Sequence, residues 1–370
     1  MKLLRIRAIA KKELIQIRRD RLSLAIAFLM PLMQLFIYGY AITFDVNNIR
    51  TVVCDRDRSS MSRELISEFR ESGYFSVVAY VDGYKDIDEY LESNKAKVAL
   101  IIPENFSRDV RTARPTQVGV IVDGSDSNTA TIADGYINAV AGIFSQRIGG
   151  VVIRPVIDVR SRVWYNPELK SRNFIIPGLI VVIMAIIVAL LTSLTIAREW
   201  ERGTMEQLIS TPVKPAELII GKLIPYFAIG FTDILLAIIT GVFWFGVPLK
   251  GSVFLLIGLS SIFIFGGVCF GILISISARG SQAVASQMAL LSTFLPAFLL
   301  SGFMFAISNM PRPLQVVTYI VPARYFVTIS KGIFLKGSSI DVLAYEALLL
   351  AVFGAVVFFA AVRRFRKRIE

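Results

Sequence analysis

The feature that most limits what this chain can become is a run of 24 residues, Phe174–Ala197, without a single charged side chain. An α-helix needs about 20 apolar residues to cross the roughly 30 Å hydrocarbon core of a bilayer. Within that core no water satisfies the backbone, so a spanning segment must pair its own peptide groups, as a helix does. Five further blocks of comparable length lie at residues 22–44, 223–249, 252–278, 284–307 and 342–362. They account for a mean hydropathy of +0.63 and a hydrophobic fraction of 55% over 370 residues. The pattern predicts an α-helical polytopic membrane protein with six transmembrane helices, spans 1 to 6 in chain order.

The net charge of +12 would suit a nucleic-acid binder if it formed a basic face, but its distribution is different. Residues 1–21 carry eight Lys/Arg against two acidic groups, residues 363–370 five against one, and residues 45–172 seventeen against eighteen. Both basic segments adjoin apolar spans, which is the positive-inside pattern with anionic lipid as the neighbour. No nucleic-acid partner is expected. Six spans place both termini on one side, taken as the cytoplasm, and residues 45–172 on the other. Span 1 follows 21 residues, is too long for a signal-peptide apolar region and has no A-x-A site after it, so it reads as an uncleaved signal-anchor.

Residues 1–21 read as an interfacial amphipathic helix. Leu3, Ile6, Ala10, Leu14 and Ile17 form one apolar stripe at helical spacing, while Arg7, Lys11 and Arg18 share another face. A simple charge anchor for span 1 is the plainer alternative.

The polar region 45–172 predicts an inserted α/β extracytoplasmic domain. Arg50–Cys54, Phe75–Tyr80, Lys97–Ile102 and Gln117–Val122 have strand character, and Ser60–Glu71, Lys85–Glu92 and Ser127–Arg147 helix character, an order that suggests a partly parallel sheet. The acidic phrase Asp123–Asn128 reads as a turn ending a strand before a helix cap rather than as a metal loop. Residues 308–341, with Pro311, Pro313 and Pro322, form an outer segment too interrupted to span; its short apolar pieces, including Tyr319, Tyr325 and Phe326, are re-entrant, interfacial or plain surface helices.

Histidine is absent, which removes His-activated nucleophiles and His-bearing metal sites, and no G-x-x-x-x-G-K-[ST] occurs to hold ATP. No catalytic, cofactor-binding or metal-ligating residue is therefore expected on this chain. Cys54 and Cys269 are separated by a span and read as small apolar fillers rather than a disulfide framework.

The loop 198–222 after span 2 carries the most specific pattern. Gly203 interrupts a helix, Thr204 and Gln207 suit a capping box, Glu206 adds charge to the first turn, and Pro212 ends the segment. The predicted two-turn helix, Met205–Ser210, shows Met205, Leu208 and Ile209 on one side. Such a helix, tethered between two spans, suits docking of apolar anchors into a partner's groove, although it could equally be a structural loop.

Arg198, Glu199, Glu201, Gly203, Thr204, Met205, Glu206, Gln207 and Leu208, followed by Ile209 and then Thr211-Pro212, resemble the signature loop of ABC-2-type transporter permeases. The resemblance covers the whole chain, and the phrases Leu100–Phe106 and Val122–Asn128 are similar to the subfamily with a large domain after the first span. It implies a permease subunit of an ATP-driven exporter of drugs or other amphiphiles in the bacterial inner membrane. A second permease copy or paralogue would complete the pore, and a separate cytoplasmic ATP-binding subunit, carrying the ATP and Mg, would dock on the loop helix. The N-terminal helix would touch that subunit too. The family also implies a route lined mainly by spans 2 and 5, and a periplasmic adaptor protein with an outer-membrane channel.

Within the spans, Asp233 lies about 16 Å along a helix from Lys222, near the bilayer midplane. A charge there is costly, so it should face protein or water, either lining the route or buried as a structural carboxyl. Gln282, Ser286 and Thr293 share a face of span 5 and are route or dimer candidates. Gly267 and Gly271 allow close helix approach, between subunits or within one. Two other functions are a membrane-anchored receptor with an outer ligand-binding domain and a membrane enzyme. The first needs an output domain, whereas eight residues follow span 6; the second needs convergent polar groups that the pattern does not offer.

Overall fold

The computed structural model describes residues 2–42, 48–148 apart from 113, 115 and 126, residue 166, and 170–365 apart from 279. The end of the basic tail, 366–370, lies outside the described residues. The chain divides into two compact units, Met1–Thr43 with Val163–Glu370, and Phe44–Arg162.

The first unit begins with α1 (Leu3–Arg19), followed by α2 (Arg21–Leu24), a π-helical turn at Ala25–Leu29, and α3 (Met30–Ala41). The face of α1 that is buried is not the predicted stripe. Ile6, Ile9, Glu13 and Ile17 are buried, whereas Leu3 and Leu14 are 81% and 54% exposed. The stripe turned because the neighbouring helix offers a buried cation to Glu13, as described below.

In the second unit, β1 (Ile49–Asp55), α4 (Ser60–Glu71), β2 (Phe75–Tyr80), α5 (Tyr84–Glu92), β3 (Val98–Ile102), α6 (Phe106–Arg111), β4 (Gly119–Val122) and α7 (Ser127–Ile148) build a mixed sheet in the order β2-β1-β3-β4. β1 runs parallel to both β2 and β3, with Thr51 opposite Val98, and β4 pairs antiparallel to β3. Every residue of β3 is buried, as a central strand covered on both faces requires. One face packs Val53, Leu65, Phe69, Leu100 and Phe144 together; the other packs Val52, Cys54, Ile87, Ala99 and Ile101. Asp123 closes a turn by accepting from the Ser125 backbone N–H (3.0 Å) and holds Lys97 at 2.6 Å. Asp126 lies outside the described residues. The α6 turn has no counterpart among the sequence expectations.

The first unit resumes with α8 (Ser171–Glu201), then α9 (Thr204–Ile209), α10 (Pro215–Ile239), α11 (Val253–Ser277), α12 (Gln282–Leu299), α13 (Arg312–Val317), α14 (Pro322–Lys331) and α15 (Ile340–Arg364). Among the described residues five helices, α8, α10 with its π-helical extension to Trp244, α11, α12 and α15, are long and apolar enough to cross a membrane; Ala25–Ala41 is a shorter apolar helix. Several boundaries differ from those expected. α10 starts eight residues earlier than 223, because Pro215 fits the first helical turn and Glu217 accepts from the Lys214 backbone N–H at 3.0 Å. α12 ends at Leu299 rather than 307, because the chain turns inward to bury Phe303 over Gly178. α14 is packed into the bundle. Phe326 stacks on Phe263 at 4.5 Å and Ser330 donates to the Pro177 carbonyl at 3.0 Å, so Tyr325 and Phe326 are buried while Tyr319 stays exposed.

α8 is the central helix. It contacts α3, α10, α11, α12 and α14 and is buried along most of its length. Gly271 explains how closely α11 approaches it: a Cβ there would lie 1.8 Å from Thr192 Oγ1 and 2.7 Å from the Ala189 carbonyl. At Gly267 it would meet Val188 at 3.3 Å. Both glycines therefore serve packing within the subunit.

Candidate functional site

The signature-loop residues gather at one end of the bundle, where the last turn of α8, the short α9, the first turns of α10 and α12, and all of α1 converge. Gly203 has φ +70, the left-handed region that suits glycine, and this turns the chain sharply between α8 and α9. The expected capping box at Thr204 is absent. Gly203 occupies the cap position, and the Thr204 hydroxyl donates back to the Glu199 carboxylate instead. The carboxylate wins because a charge-assisted bond is stronger than one to a neutral backbone group. The helix starts one residue earlier than predicted, at Thr204.

Met205 is 1% exposed, packed inside its own subunit. It anchors α9 to the bundle and is not free to enter a partner. Leu208 and Ile209 are half-buried, and Glu201, Glu206 and Gln207 are exposed, so these residues form the surface the loop presents.

Beneath α9 lies a buried ionic cluster. Lys222, 1% exposed, donates to Glu13 at 2.8 Å and to Glu199 at 3.2 Å, and both carboxylates are 2% exposed. Tyr226 donates to Glu13 at 3.3 Å, and Lys12 reaches Glu199 at 2.5 Å from the rim. Two lysines thus meet two carboxylates, and the group is neutral as a whole. Glu217 accepts from the Lys2 backbone N–H at 2.8 Å and pairs with Arg5 at 3.5 Å, fixing the start of α1 to α10. Ile9 packs onto Gly221, where a Cβ would lie 2.7 Å away. Together these contacts make α1, α9 and the adjoining ends of α8 and α10 one connected body.

Arg198 extends the network sideways, to Asp20 at 2.9 Å and to the Gln282 side-chain oxygen at 3.3 Å. The Gln282 backbone N–H donates to Glu201 at 2.9 Å. Gln282 is thereby drawn into the loop corner and away from the other span 5 candidates. Ser286 is half-buried and donates to the Ala283 carbonyl. Thr293 is buried and donates to Ala289; with Gly267, Phe263 and Phe353 it lines an apolar cavity of about 250 Å³. The shared face of these residues points into the subunit. The open face of α12 carries Val284, Met288, Leu291 and Leu295 instead.

Asp233 is 2% exposed, and neither carboxylate oxygen has a hydrogen-bond partner among the described residues. Thr232 and Thr240, its possible structural partners, donate to their own helix at Ala228 and Leu236.

Sequence reasoning found the loop but missed the cluster below it. Glu13 and Lys222 are 209 positions apart. The one available signal was Glu13 interrupting a buried helical stripe between Ile9 and Ile17.

Residues 21–363 match the family model described as ABC-2 family transporter protein. The chain is 40% identical to the probable multidrug ABC transporter permease YbhS of Escherichia coli strain K12, over 96% of this chain and 94% of that protein. It is 31% identical to the probable multidrug ABC transporter permease YbhR of the same strain, over 99% of both. The inner membrane transport permease YhhJ of that strain is 26% identical over 86% of this chain and 85% of its own length.

Proposed function

Because the chain belongs to the ABC-2 family of transporter proteins, and is a membrane permease subunit of an ABC transporter, we propose that it exports drugs or other amphiphilic compounds, energised by a separate ATP-binding subunit that docks on α9. The observation that carries this reading is the joined body of α1, α9 and the ends of α8 and α10. A push on the exposed side of α9 reaches α8, the central helix of the bundle, through Glu199, and reaches α10 through Lys222. Leu208, Ile209, Glu206 and Gln207 are the docking surface; Arg198, Glu199, Glu201, Gly203, Thr204 and Met205 hold it in place.

The finer topology follows from the same elements. Arg21–Ala41 is a continuous helix in three pieces, about 31 Å long at 1.5 Å per residue, and serves as span 1, which brings the spans to six. The basic segments before it and after α15 favour both termini in the cytoplasm of a bacterial inner membrane, leaving the sheet-containing unit outside. There it would receive an adaptor protein leading to an outer-membrane channel, or the outer unit of a twin.

The apolar open face of α12 supports a paired permease. Leu291 at its centre is 66% exposed. Two different permeases of one organism align over nearly this whole chain, which supports a paralogue as readily as a second copy. In such a pair α12 borders the route; α8 stands behind it, covered by its own subunit. The multidrug wording attached to YbhS and YbhR supports drug-like cargo.

The decisive test is Leu208→Asp in the complete transporter. The variant should reach the membrane and lose the co-purifying ATP-binding subunit. Undiminished ATPase recovery would remove α9 as the docking element.

A further inference from the structure

A cleft of about 530 Å³ lies between α1 and the last turn of α8, distinct from the exposed side of α9. Lys12, Ile15, Gln16 and Arg19 line it from one face of α1, Arg198 lines it from the last turn of α8, and Arg202 from the residue that caps that helix. The only carboxylate on its wall is Asp20, which is engaged by Arg198 at 2.9 Å. Lys12 is engaged by Glu199. Arg19 and Arg202 are exposed and make no ion pair among the described residues. The cleft therefore presents two uncompensated guanidinium groups, which match phosphate oxygens by charge and fork geometry.

We propose that this cleft binds the phosphate headgroup of an anionic phospholipid at the cytoplasmic surface of the membrane. Three features select a lipid over an acidic protein surface. First, α8 has 31 residues, about 46 Å of helix, so it outruns the roughly 30 Å hydrocarbon core and its last turn falls at headgroup level. Second, apolar groups adjoin the cations: Ile15, on the cleft wall, is 45% exposed and Leu14 beside it is 54% exposed. A phospholipid offers phosphate to the arginines and hydrocarbon to these side chains at once. Third, the predicted interfacial helix buries Ile6, Ile9 and Ile17 against the protein and leaves Leu3 and Leu4 at its start and Leu14 and Ile15 beside the cleft to meet the bilayer. A lipid seated here would bridge α1 and α8 where no direct side-chain bond joins Arg19 to Arg202.

The test uses the full-length protein in nanodiscs of phosphatidylcholine with and without phosphatidylglycerol, and native mass spectrometry to count retained lipid. The parent should retain phosphatidylglycerol in preference to phosphatidylcholine. Arg19→Gln with Arg202→Gln should weaken that preference by about tenfold or more, since each basic group near an anionic surface contributes about a factor of five. Arg70→Gln with Lys85→Gln, two exposed cations of the sheet-containing unit, should leave it intact. Equal thermal unfolding of both double variants in phosphatidylcholine alone excludes misfolding as the cause. Unchanged phosphatidylglycerol retention in Arg19→Gln/Arg202→Gln overturns the proposal. So does displacement of the lipid by inorganic phosphate, which would assign the site to a free anion. Loss of the ATP-binding subunit with lipid retention unchanged would assign the cleft to a protein partner. The lipid readout needs neither ATP nor transport, so it stands or falls apart from the docking role of α9.

Discussion

Replacing Lys222 by Met removes the one cation that touches both buried carboxylates while keeping most of the side-chain volume. Removing one partner of a buried ion pair costs about 3–5 kcal/mol, because the other charge is stranded in a medium that cannot solvate it. The structure divides that cost unevenly. Glu199 keeps Lys12 at 2.5 Å and the Thr204 hydroxyl, whereas among the described residues Glu13 keeps only the Tyr226 hydroxyl at 3.3 Å. The stranded charge is therefore mainly Glu13, and neutralising it should rescue the variant. Expected stabilities, from reversible SDS titration of the purified protein, are a loss of about 3–5 kcal/mol for Lys222→Met. More than half should return in Lys222→Met/Glu13→Gln, and distinctly less in Lys222→Met/Glu199→Gln. Recovery of the ATP-binding subunit should follow the same order, since Glu13 and Lys222 join α1 to α10 beneath the docking helix. A Lys222→Met variant within about 1 kcal/mol of the parent, or equal rescue by the two glutamines, would refute the uneven cluster.

Three further outcomes are expected. Gly271→Ala should cost about 1–3 kcal/mol by forcing α11 off Thr192, while Gly258→Ala, where a Cβ meets nothing within 4 Å, should be neutral; equal effects in a denaturant comparison would contradict the close approach. Asp233→Asn removes a charge that has no partner among the described residues, so expression should be unchanged while export of cationic compounds falls or its pH dependence shifts; identical cationic and neutral export from mildly acid to mildly alkaline pH would leave Asp233 a structural residue. The fragment 46–171 should fold alone. In its folded state the hydrogen bond from Lys97, helped by the Ser125 backbone N–H, holds the Asp123 carboxyl below its ordinary range. A depressed carboxyl contributes stability above the unfolded value of about 3.9 and loses it as pH falls below that value. The denaturation midpoint should therefore begin to drop as pH falls below about 4, less steeply in Lys97→Met, and identical pH profiles would reject the pair.

Much of this protein is written locally and was legible for that reason. Twenty or so consecutive apolar residues can satisfy their backbone in a membrane only as a helix, so α8, α11 and α15 follow from composition. The β-branched run expected as a strand at Lys97–Ile102 is β3, Val98–Ile102, and Ser60–Glu71 was recovered without error as α4. The loop between α8 and α10 was recognisable because Gly203, Thr204 and Pro212 act on their immediate neighbours. What those neighbours touch was decided only in three dimensions. Thr204 turned from capping its own helix to binding Glu199 once Gly203 folded the chain back. Met205 passed from a presumed partner contact to a buried anchor, and Gln282 from the route to the loop corner. The face of α1 that became buried was set by Lys222, because a charge without water must be met by an opposite charge wherever in the sequence that partner lies. Periodicity reports which residues share a face of one helix; the identity of the surface opposite is a property of helices brought together from distant parts of the chain, and that is where the candidate site resides.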